Sequence, residues 1–215
     1  PRSTLFPYTT LFRSVWLRNT VRRALSMLAD GMFVQPIHGK GVRVIWLKGE
    51  TDMLGALEEV ESFGEFAKRN NAVASTEVKS FEHLICTEQL SRRLGFKVGE
   101  ELIRVVRVRS LNGSARQVDH GYFLASIAKG LTPEIAADSI YGYLEHKRGV
   151  KVMASRRTVS VELANDEDCS YLDLGKYNCV AVMESQSYTS DGILFEVTHA
   201  RTHPEIFHYR VNSKR

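Results

Sequence analysis

The chain has 215 residues, of which 43% are hydrophobic and 25% charged, with 15 glycines, 5 prolines and 3 cysteines. These proportions are typical of a folded globular protein and exclude collagen-like, disordered and disulfide-stapled chains. No apolar run approaches the roughly 18–20 residues that a membrane-spanning helix needs. The cysteines are scattered and lack CxxC spacing, which favours a reducing, cytoplasmic compartment and argues against a zinc site.

The positive charge is concentrated in the first 50 residues. The whole chain has 29 Lys and Arg against 25 Asp and Glu, a net charge of +4. Residues 1–50 hold 8 of the basic residues and only 2 acidic ones, and the remainder is slightly acidic. This distribution favours a polyanion-binding segment joined to a domain with another task; a solvated basic surface is the alternative.

Residues 1–14 have an unusual composition. Their sequence, PRSTLFPYTTLFRS, has neither helical nor strand periodicity and contains no acidic residue. A transit peptide would fit this composition, but we interpret the segment as foreign or artefactual and exclude it from the fold.

Residues 15–47 combine a predicted helix with a predicted hairpin. Apolar residues recur at helical spacing over residues 19–31, where Gly31 would end the helix. Two β-prone runs at residues 32–36 and 42–47 then flank a turn that carries Gly-Lys-Gly. A basic helix followed by a basic-tipped hairpin is typical of the last half of a winged helix-turn-helix, whose helix enters the DNA major groove.

The same residues resemble a known family. RNTVRRALSMLADGMFVQPIHGKGVRV is similar to the end of the DNA-binding domain of GntR-type repressors. Leu17 replaces the serine that caps this helix in the family, at a cost of about 1 kcal/mol, and the two preceding helices are missing. We therefore expect a truncated domain over residues 15–47 and DNA binding only where the full domain is present. By this resemblance the DNA contacts are Arg18, Asn19, Thr20, Arg22, Arg23, His38, Gly39 and Lys40.

A polar segment at residues 48–57 is predicted to be a linker to a second domain over residues 58–215. In that domain Ser62 and Glu65 form a capping box, and Asn112-Gly113 and Asp191-Gly192 predict hairpins. Helices are predicted at residues 60–70, 87–94, 132–134, 139–148 and after 165. Strands are predicted at residues 73–84, 101–111, 117–123, 150–163, 179–188, 193–202 and near 207–211. Helices and antiparallel hairpins that share one core predict an α+β fold.

Signatures of enzymes and metal sites are missing from the sequence. It contains no GxSxG, P-loop, GxGxxG or HExxH motif, and we expect no catalytic residues and no cofactor. His199 and His203 are four residues apart, but in a predicted strand they would lie roughly 13 Å from each other, so no metal site is predicted. Arg107 and Arg109 would leave the same face of a strand, which suits an anion with several oxygens; an exposed basic face paired with carboxylates is the alternative.

A second resemblance covers residues 62 to the C-terminus. Ser62-Phe63, Arg107-Val108-Arg109, Ser139-Ile140-Tyr141 and FEVT with a following Arg201 are similar to the UTRA effector domain of the HutC branch of GntR regulators, which has a chorismate-lyase-like fold. The resemblance implies a sugar-phosphate effector, with trehalose-6-phosphate favoured, and a homodimer; residues 206–211 are a candidate seam. By the same resemblance the effector contacts are Ser62, Phe63, Gly64, Arg107, Arg109 and Ser139 for the phosphate, and Asp119, Tyr141 and Glu196 for the sugar hydroxyls.

We therefore expect a transcriptional repressor whose effector domain controls binding to operator DNA. Two alternatives stay open at this point. One is a chorismate-lyase-like enzyme, which would leave the basic N-terminal unit without a role. The other is a ligand sensor that does not bind DNA.

Overall fold

The computed structural model describes residues 5–6, 18–45, 54–55 and 60–209. The chain divides into two compact units, Pro1–Thr51 with Val211–Arg215 and Asp52–Arg210. In the described part of the chain, no helix is both long and apolar enough to cross a membrane. The predicted foreign segment and the predicted linker lie outside the described residues, apart from residues 5–6 and 54–55, so the domain boundaries stay predictions.

The first unit contains one helix and a small antiparallel sheet. Its elements are β1 (Leu5–Phe6), α1 (Arg18–Asp30), β2 (Val34–Ile37) and β3 (Gly41–Val44). The predicted helix and hairpin are confirmed, and the hairpin turns at Gly39, whose φ of 70° lies in the left-handed region that favours glycine. β1 pairs with β3, which gives the sheet order β1-β3-β2. This pairing was not predicted, because residues 1–14 were excluded from the fold.

The second unit alternates short helices with long strands. Its elements are β4 (Leu54–Gly55), α2 (Phe63–Arg69), β5 (Ala74–Ile85), α3 (Glu88–Leu94), β6 (Glu101–Leu111), β7 (Ser114–Leu124), α4 (Pro133–Asp138), α5 (Ile140–Arg148), β8 (Val152–Leu163), α6 (Asp166–Tyr171), β9 (Cys179–Thr189), β10 (Leu194–Thr202), a 3-10 turn (Pro204–Ile206) and β11 (His208–Tyr209). The predicted α+β class is confirmed, as are the predicted long strands and most of the helices.

Six of these strands form one antiparallel sheet in the order β5-β6-β7-β10-β9-β8. The β6–β7 hairpin turns at Asn112 and Gly113, whose φ angles of 50° and 83° match the type I′ turn that this dipeptide favours. The turn and a register shift between Arg109 and Ser110 together set the pairing of the two strands, so Arg107 lies opposite Asp119.

The two faces of the sheet carry different side chains. Val106 packs in a buried cluster that also contains Val118, Val180 and Val182. Because successive residues of a strand face opposite sides, Arg107 and Arg109 lie on the other face from Val106. A larger core cluster contains the fully buried side chains of Leu94, Leu102, Phe123, Leu144 and Phe195. Each such residue contributes roughly 1.5–3 kcal/mol of transfer free energy.

The prediction of an exposed strand at residues 206–211 is wrong in part. Ile206 ends a 3-10 turn and is buried against Ala67 and Leu111. The strand is limited to His208–Tyr209, which pairs in parallel with Leu54–Gly55. The prediction failed because a short apolar run has the same pattern whether it is an exposed strand or a buried turn. Residues 210 and 211 lie outside the described residues.

Candidate functional site

A cavity of about 410 Å³ lies on the face of the sheet that carries Arg107 and Arg109. All six strands of the sheet contribute residues to its lining, β5 only through its first three residues. The walls come from the start of α2, the junction of α4 and α5, and residues 206–209. This volume falls within the range of roughly 300–1,000 Å³ that is usual for small-molecule sites.

All nine residues predicted to contact an effector line this cavity. They come from five separate parts of the chain and are Ser62, Phe63, Gly64, Arg107, Arg109, Asp119, Ser139, Tyr141 and Glu196. Ser62 and Ser139 also act as N-caps, since each accepts a hydrogen bond from the backbone of its own helix. Their hydroxyl oxygens therefore help to fix the two helix starts at the cavity wall.

The cationic lobe of the cavity consists of Arg107, Arg109 and Asp119. Both guanidinium groups donate to the same carboxylate oxygen, Oδ2 of Asp119: Nη2 of Arg107 at 2.6 Å and Nη2 of Arg109 at 2.8 Å. Nε of Arg109 also donates to this oxygen at 3.1 Å. The two arginines therefore pair with a carboxylate, as the alternative interpretation expected. They do not form an exposed basic face, because the Arg107 and Asp119 side chains are each 4% exposed.

Burial changes the titration of these groups. It lowers the pKa of Arg107 to about 10, assisted by the neighbouring charge of Arg109, so the guanidinium stays charged at neutral pH. Burial acts to raise the pKa of Asp119, but the two guanidinium groups outweigh it and hold that pKa below its ordinary value. Two cations and one anion leave the lobe with a net positive charge.

One hydrogen-bond donor of the cationic lobe is unpaired among the described residues. Nε of Arg107 is buried and has no hydrogen-bond partner among the described residues. Nη1 of Arg107 reaches only the backbone carbonyl of Ala136, at 3.5 Å. A buried donor without a partner costs about 1–3 kcal/mol, so such groups are uncommon and require an explanation.

The hydroxyl lobe lies on α5, β9 and β10 and consists of Tyr141, Glu196, Ser187, Thr198 and Ser185. The Tyr141 hydroxyl donates to the Glu196 carboxylate and lies 3.1 Å from the hydroxyl oxygen of Ser187. Burial raises the pKa of Glu196. Burial and the Glu196 charge also raise the pKa of Tyr141, so the phenol remains a hydrogen-bond donor.

Several cavity residues were missed by the sequence analysis. They are polar side chains on the floor, namely Gln117, Ser155, Arg157, Ser185, Ser187, Thr198 and Thr202. Ser185-x-Ser187 carries the same signal as Arg107-x-Arg109, two polar residues on one strand face. That signal did not stand out because alternate serines are also common on exposed strands.

The residues predicted to contact DNA lie in the first unit. Arg22 and Arg23 are exposed on α1, and His38, Gly39 and Lys40 are exposed at the turn between β2 and β3. The Arg18 side chain lies outside the described part of the chain. Among the described residues, no group of three His, Cys, Asp or Glu side chains is arranged to hold a metal ion.

Comparison with known proteins defines the class. The model of the UTRA domain family matches residues 69–208, and the chain belongs to this family. The fold, the cavity and this match identify a GntR-type transcriptional regulator with a UTRA effector domain.

The individual relatives are regulators too. The HTH-type transcriptional regulator TreR of Bacillus subtilis (strain 168) is 30% identical over 192 residues, which cover 89% of this chain and 79% of TreR. The effector-binding domain of the B. subtilis trehalose repressor superimposes with a TM-score of 0.58 at 27% identity, covering 66% of this chain and 98% of that domain.

The structural similarity to a third relative covers both units of the chain. The transcriptional regulator YydK of B. subtilis gives a TM-score of 0.73 at 21% identity and covers 99% of this chain and 90% of its own, which shows a shared fold. The relatives are transcriptional regulators and not enzymes, so the prediction that the chain is not an enzyme is confirmed and the chorismate-lyase alternative is set aside.

Proposed function

We propose that this regulator is a cytoplasmic repressor that senses a sugar phosphate, with trehalose-6-phosphate favoured, and that the effector controls its binding to operator DNA. The observation that carries the proposal is the buried pair Arg107 and Arg109 around one carboxylate oxygen. The similarity to TreR and to a trehalose repressor domain supports the choice of sugar.

The phosphate would bind at the cationic lobe. Guanidinium groups suit phosphate because their planar donors match its oxygens, and they stay charged. Asp119 uses only part of this capacity, since Nε of Arg107 has no described partner. The Arg109 side chain is 14% exposed and lies over the Phe63 ring, 5.1 Å from its centre, which holds the guanidinium at the cavity wall.

The sugar would bind at the hydroxyl lobe. Tyr141 and Glu196 offer a buried donor and acceptor. Carbohydrate hydroxyls both donate and accept, so they match this pair. A neutral sugar without phosphate would use only this lobe, and inorganic phosphate only the cationic one.

The effector would act by shifting a conformational equilibrium. It can favour the state that releases DNA only to the extent that it binds that state more tightly than the DNA-bound state. The coupling between effector binding and DNA release therefore depends on contacts that the effector makes with both lobes of the cavity.

Thermal unfolding of the chain tests the effector assignment. Trehalose-6-phosphate, trehalose and inorganic phosphate are compared, each at the same concentration. A ligand at about 100 times its dissociation constant stabilises the folded state by roughly 2.7 kcal/mol. We expect a clear shift with the phosphosugar and smaller shifts with the two fragments. Equal shifts with trehalose and trehalose-6-phosphate would contradict the role given to the Arg pair.

DNA binding would come from α1 and from the turn between β2 and β3. Arg23 and Lys40 are exposed in these elements, and cations there would neutralise phosphates of the duplex. Binding of the intact regulator, with its full DNA-binding domain, to a 30-base-pair duplex is measured at several salt concentrations for the wild type, Arg23→Gln and Lys40→Gln. In the proposed homodimer each substitution removes two cations, so each variant should lower the slope of log affinity against log salt by up to about 1.8, whereas Lys97→Gln in the second unit should not. No measurable binding by the wild type would favour a ligand sensor without DNA binding.

We also propose a homodimer, and β8 is our candidate for its seam. β8 is an edge strand of the six-stranded sheet, and its Val159, Val161 and Leu163 side chains are exposed. A long edge strand with an apolar row is unfavourable unless another strand covers it. Light scattering should show a dimer for the wild type and for the exposed control Val98→Lys, and a monomer for Val161→Lys. A dimer that survives Val161→Lys would exclude β8 as the seam.

A further inference from the structure

We propose that Asp119 is an internal competitor for the anion-binding groups of the cavity: it holds both guanidinium groups in this structure and has to release them for a phosphate to bind. The inference rests on the proposed function, because it assumes that the phosphate binds at Arg107 and Arg109. It goes beyond that function by giving Asp119 control over access to the two arginines.

Asp119 holds the donors that a phosphate would need. Nη2 of Arg107 and Nε and Nη2 of Arg109 converge on the single oxygen Oδ2 of Asp119, at 2.6, 3.1 and 2.8 Å. A ligand oxygen that accepts from the same three donors would have to lie where Oδ2 lies now. The carboxylate and the ligand therefore exclude each other at this position.

The remaining donors of Arg107 do not offer a way around Asp119. Nε is buried and has no partner among the described residues, and Nη1 reaches the backbone carbonyl of Ala136 at 3.5 Å. Because only 4% of the Arg107 side chain is exposed, a phosphate in the cavity reaches its guanidinium only after Asp119 has moved. An arrangement in which this guanidinium faces a bound anion would also give Nε the partner that it lacks here.

The register of the sheet gives the carboxylate a place to move to. Asp119 lies opposite Arg107 on β6 and opposite Ala200 on β10, and Ala200 lines the cavity. Alanine has no side-chain atoms beyond Cβ, so a change of the Asp119 rotamer can carry the carboxylate from the guanidinium groups into the cavity above Ala200. In that position the carboxylate faces the cavity and no longer blocks the arginines.

Phosphate is the stronger acceptor of the two anions. Asp119 offers one negative charge and uses one oxygen for three donors. A phosphate monoester carries about 1.5–2 negative charges and three acceptor oxygens at pH 7, so it can replace all three bonds and strengthen the pairing. Its apparent affinity is nevertheless reduced, because only the molecules in which Asp119 has left the arginines can bind it.

The test measures the affinity for inorganic phosphate, which reports on the cationic lobe without a sugar. Titration calorimetry and thermal unfolding of the full chain are carried out at constant ionic strength on the wild type, Asp119→Asn and Asp168→Asn. Asp168→Asn is the matched control, because Asp168 is also buried and accepts hydrogen bonds from the guanidinium group of Arg201, but does not line the cavity.

We expect Asp119→Asn to bind inorganic phosphate about 10- to 100-fold more tightly than the wild type, because the charged competitor is gone. Phosphate should also raise the unfolding temperature of this variant more than that of the wild type or Asp168→Asn. Equal or weaker phosphate binding by Asp119→Asn would overturn the internal competitor, and the proposed function would stand if the wild type binds trehalose-6-phosphate. A wild type that does not bind trehalose-6-phosphate would overturn the proposed function and the competitor with it.

A wild-type crystal structure with trehalose-6-phosphate tests the inference even if Asp119→Asn does not fold. In this complex, Oδ2 of Asp119 should lie more than about 3.5 Å from the guanidinium nitrogens of Arg107 and Arg109. A phosphate bound to both arginines while Asp119 keeps its present hydrogen bonds would overturn the inference and leave the phosphate assignment intact.

Discussion

The cationic and hydroxyl lobes of the cavity are built in different ways. Arg107, Arg109 and Asp119 lie on one hairpin, and a buried ion pair fixes their positions before any ligand arrives. The hydroxyl lobe joins the β9–β10 hairpin to α5, whose Tyr141 lies 46 residues before Ser187 and 55 before Glu196. In the proposed complex a single hairpin would set the charge of the ligand, whereas contacts between segments distant in sequence would set its shape.

Asp119→Asn should have the largest effect on stability. It removes the shared acceptor of two guanidinium groups, one of them buried, and should lower the free energy of unfolding by about 3–5 kcal/mol. Because the pKa of Asp119 is lowered in the folded state, its contribution is present above about pH 4 and is lost as the pH falls through the folded pKa. Urea unfolding at pH 7 and pH 3 measures both effects.

The matched control for Asp119 is Glu82→Gln. Glu82 accepts hydrogen bonds from Arg104 on the same strand as Arg107, but it is exposed. Its loss should have little effect on the free energy of unfolding, because solvent screens an exposed ion pair. Similar costs for the two substitutions would show that the buried ion pair does not organise the cationic lobe.

Arg107→Ala should have the largest effect on ligand binding. It removes one of the two cations that we propose bind the phosphate and should lower the affinity for trehalose-6-phosphate by about 10- to 100-fold, since a charge-assisted hydrogen bond contributes about 1.5–3 kcal/mol. Calorimetry measures the affinity, with Arg104→Ala on the opposite face of β6 as the control. In the intact regulator the variant should keep operator binding and lose its response to the effector; normal induction would contradict the assignment.

Glu196→Gln tests the hydroxyl lobe through its pH dependence. The folded-state pKa of Glu196 is raised above its unfolded value, mainly by burial. The stability that its protonated form provides is complete below about pH 4.3 and is lost as the pH rises through the folded pKa. The Gln variant mimics the protonated form, so its stability relative to the wild type should increase from pH 4 to pH 8 in thermal unfolding. A difference that does not vary with pH would show that Glu196 titrates as it does in the unfolded chain.

Tyr141→Phe should have the smallest effect. It removes one hydrogen bond to Glu196 and leaves the ring in place beside Phe195. We expect a loss of about 1 kcal/mol in stability and about fivefold in affinity for trehalose-6-phosphate. Tyr143→Phe is the control, because its hydroxyl donates to the Lys129 carbonyl, and neither residue lines the cavity. Equal losses of affinity in Tyr141→Phe and Tyr143→Phe would show that the Tyr141 hydroxyl does not contact the ligand.

Much of the fold could be predicted because its signals are local. The Ser62–Glu65 capping box and the Asn112-Gly113 turn each lie within a few residues of sequence, and the structure contains both. The Arg107–Arg109 face could be predicted for the same reason, since alternation along one strand requires no knowledge of its neighbours.

Other features depend on contacts between distant segments. The hydrogen bond between Tyr141 and Glu196 joins residues that are 55 positions apart, and the shared oxygen of Asp119 depends on the rotamers of two arginines. The resemblance placed Asp119 beside the sugar, whereas the structure shows it between the two guanidinium groups. The strand at Leu5–Phe6 was missed because residues 1–14 have no strand periodicity and were excluded from the fold.

The most direct test of the account is a crystal structure of the chain with trehalose-6-phosphate. We predict phosphate oxygens within about 2.7–2.9 Å of guanidinium nitrogens of Arg107 or Arg109, and a sugar ring beside Tyr141 and Glu196. A phosphosugar bound with its phosphate away from both arginines, or outside the cavity, would contradict the central claim.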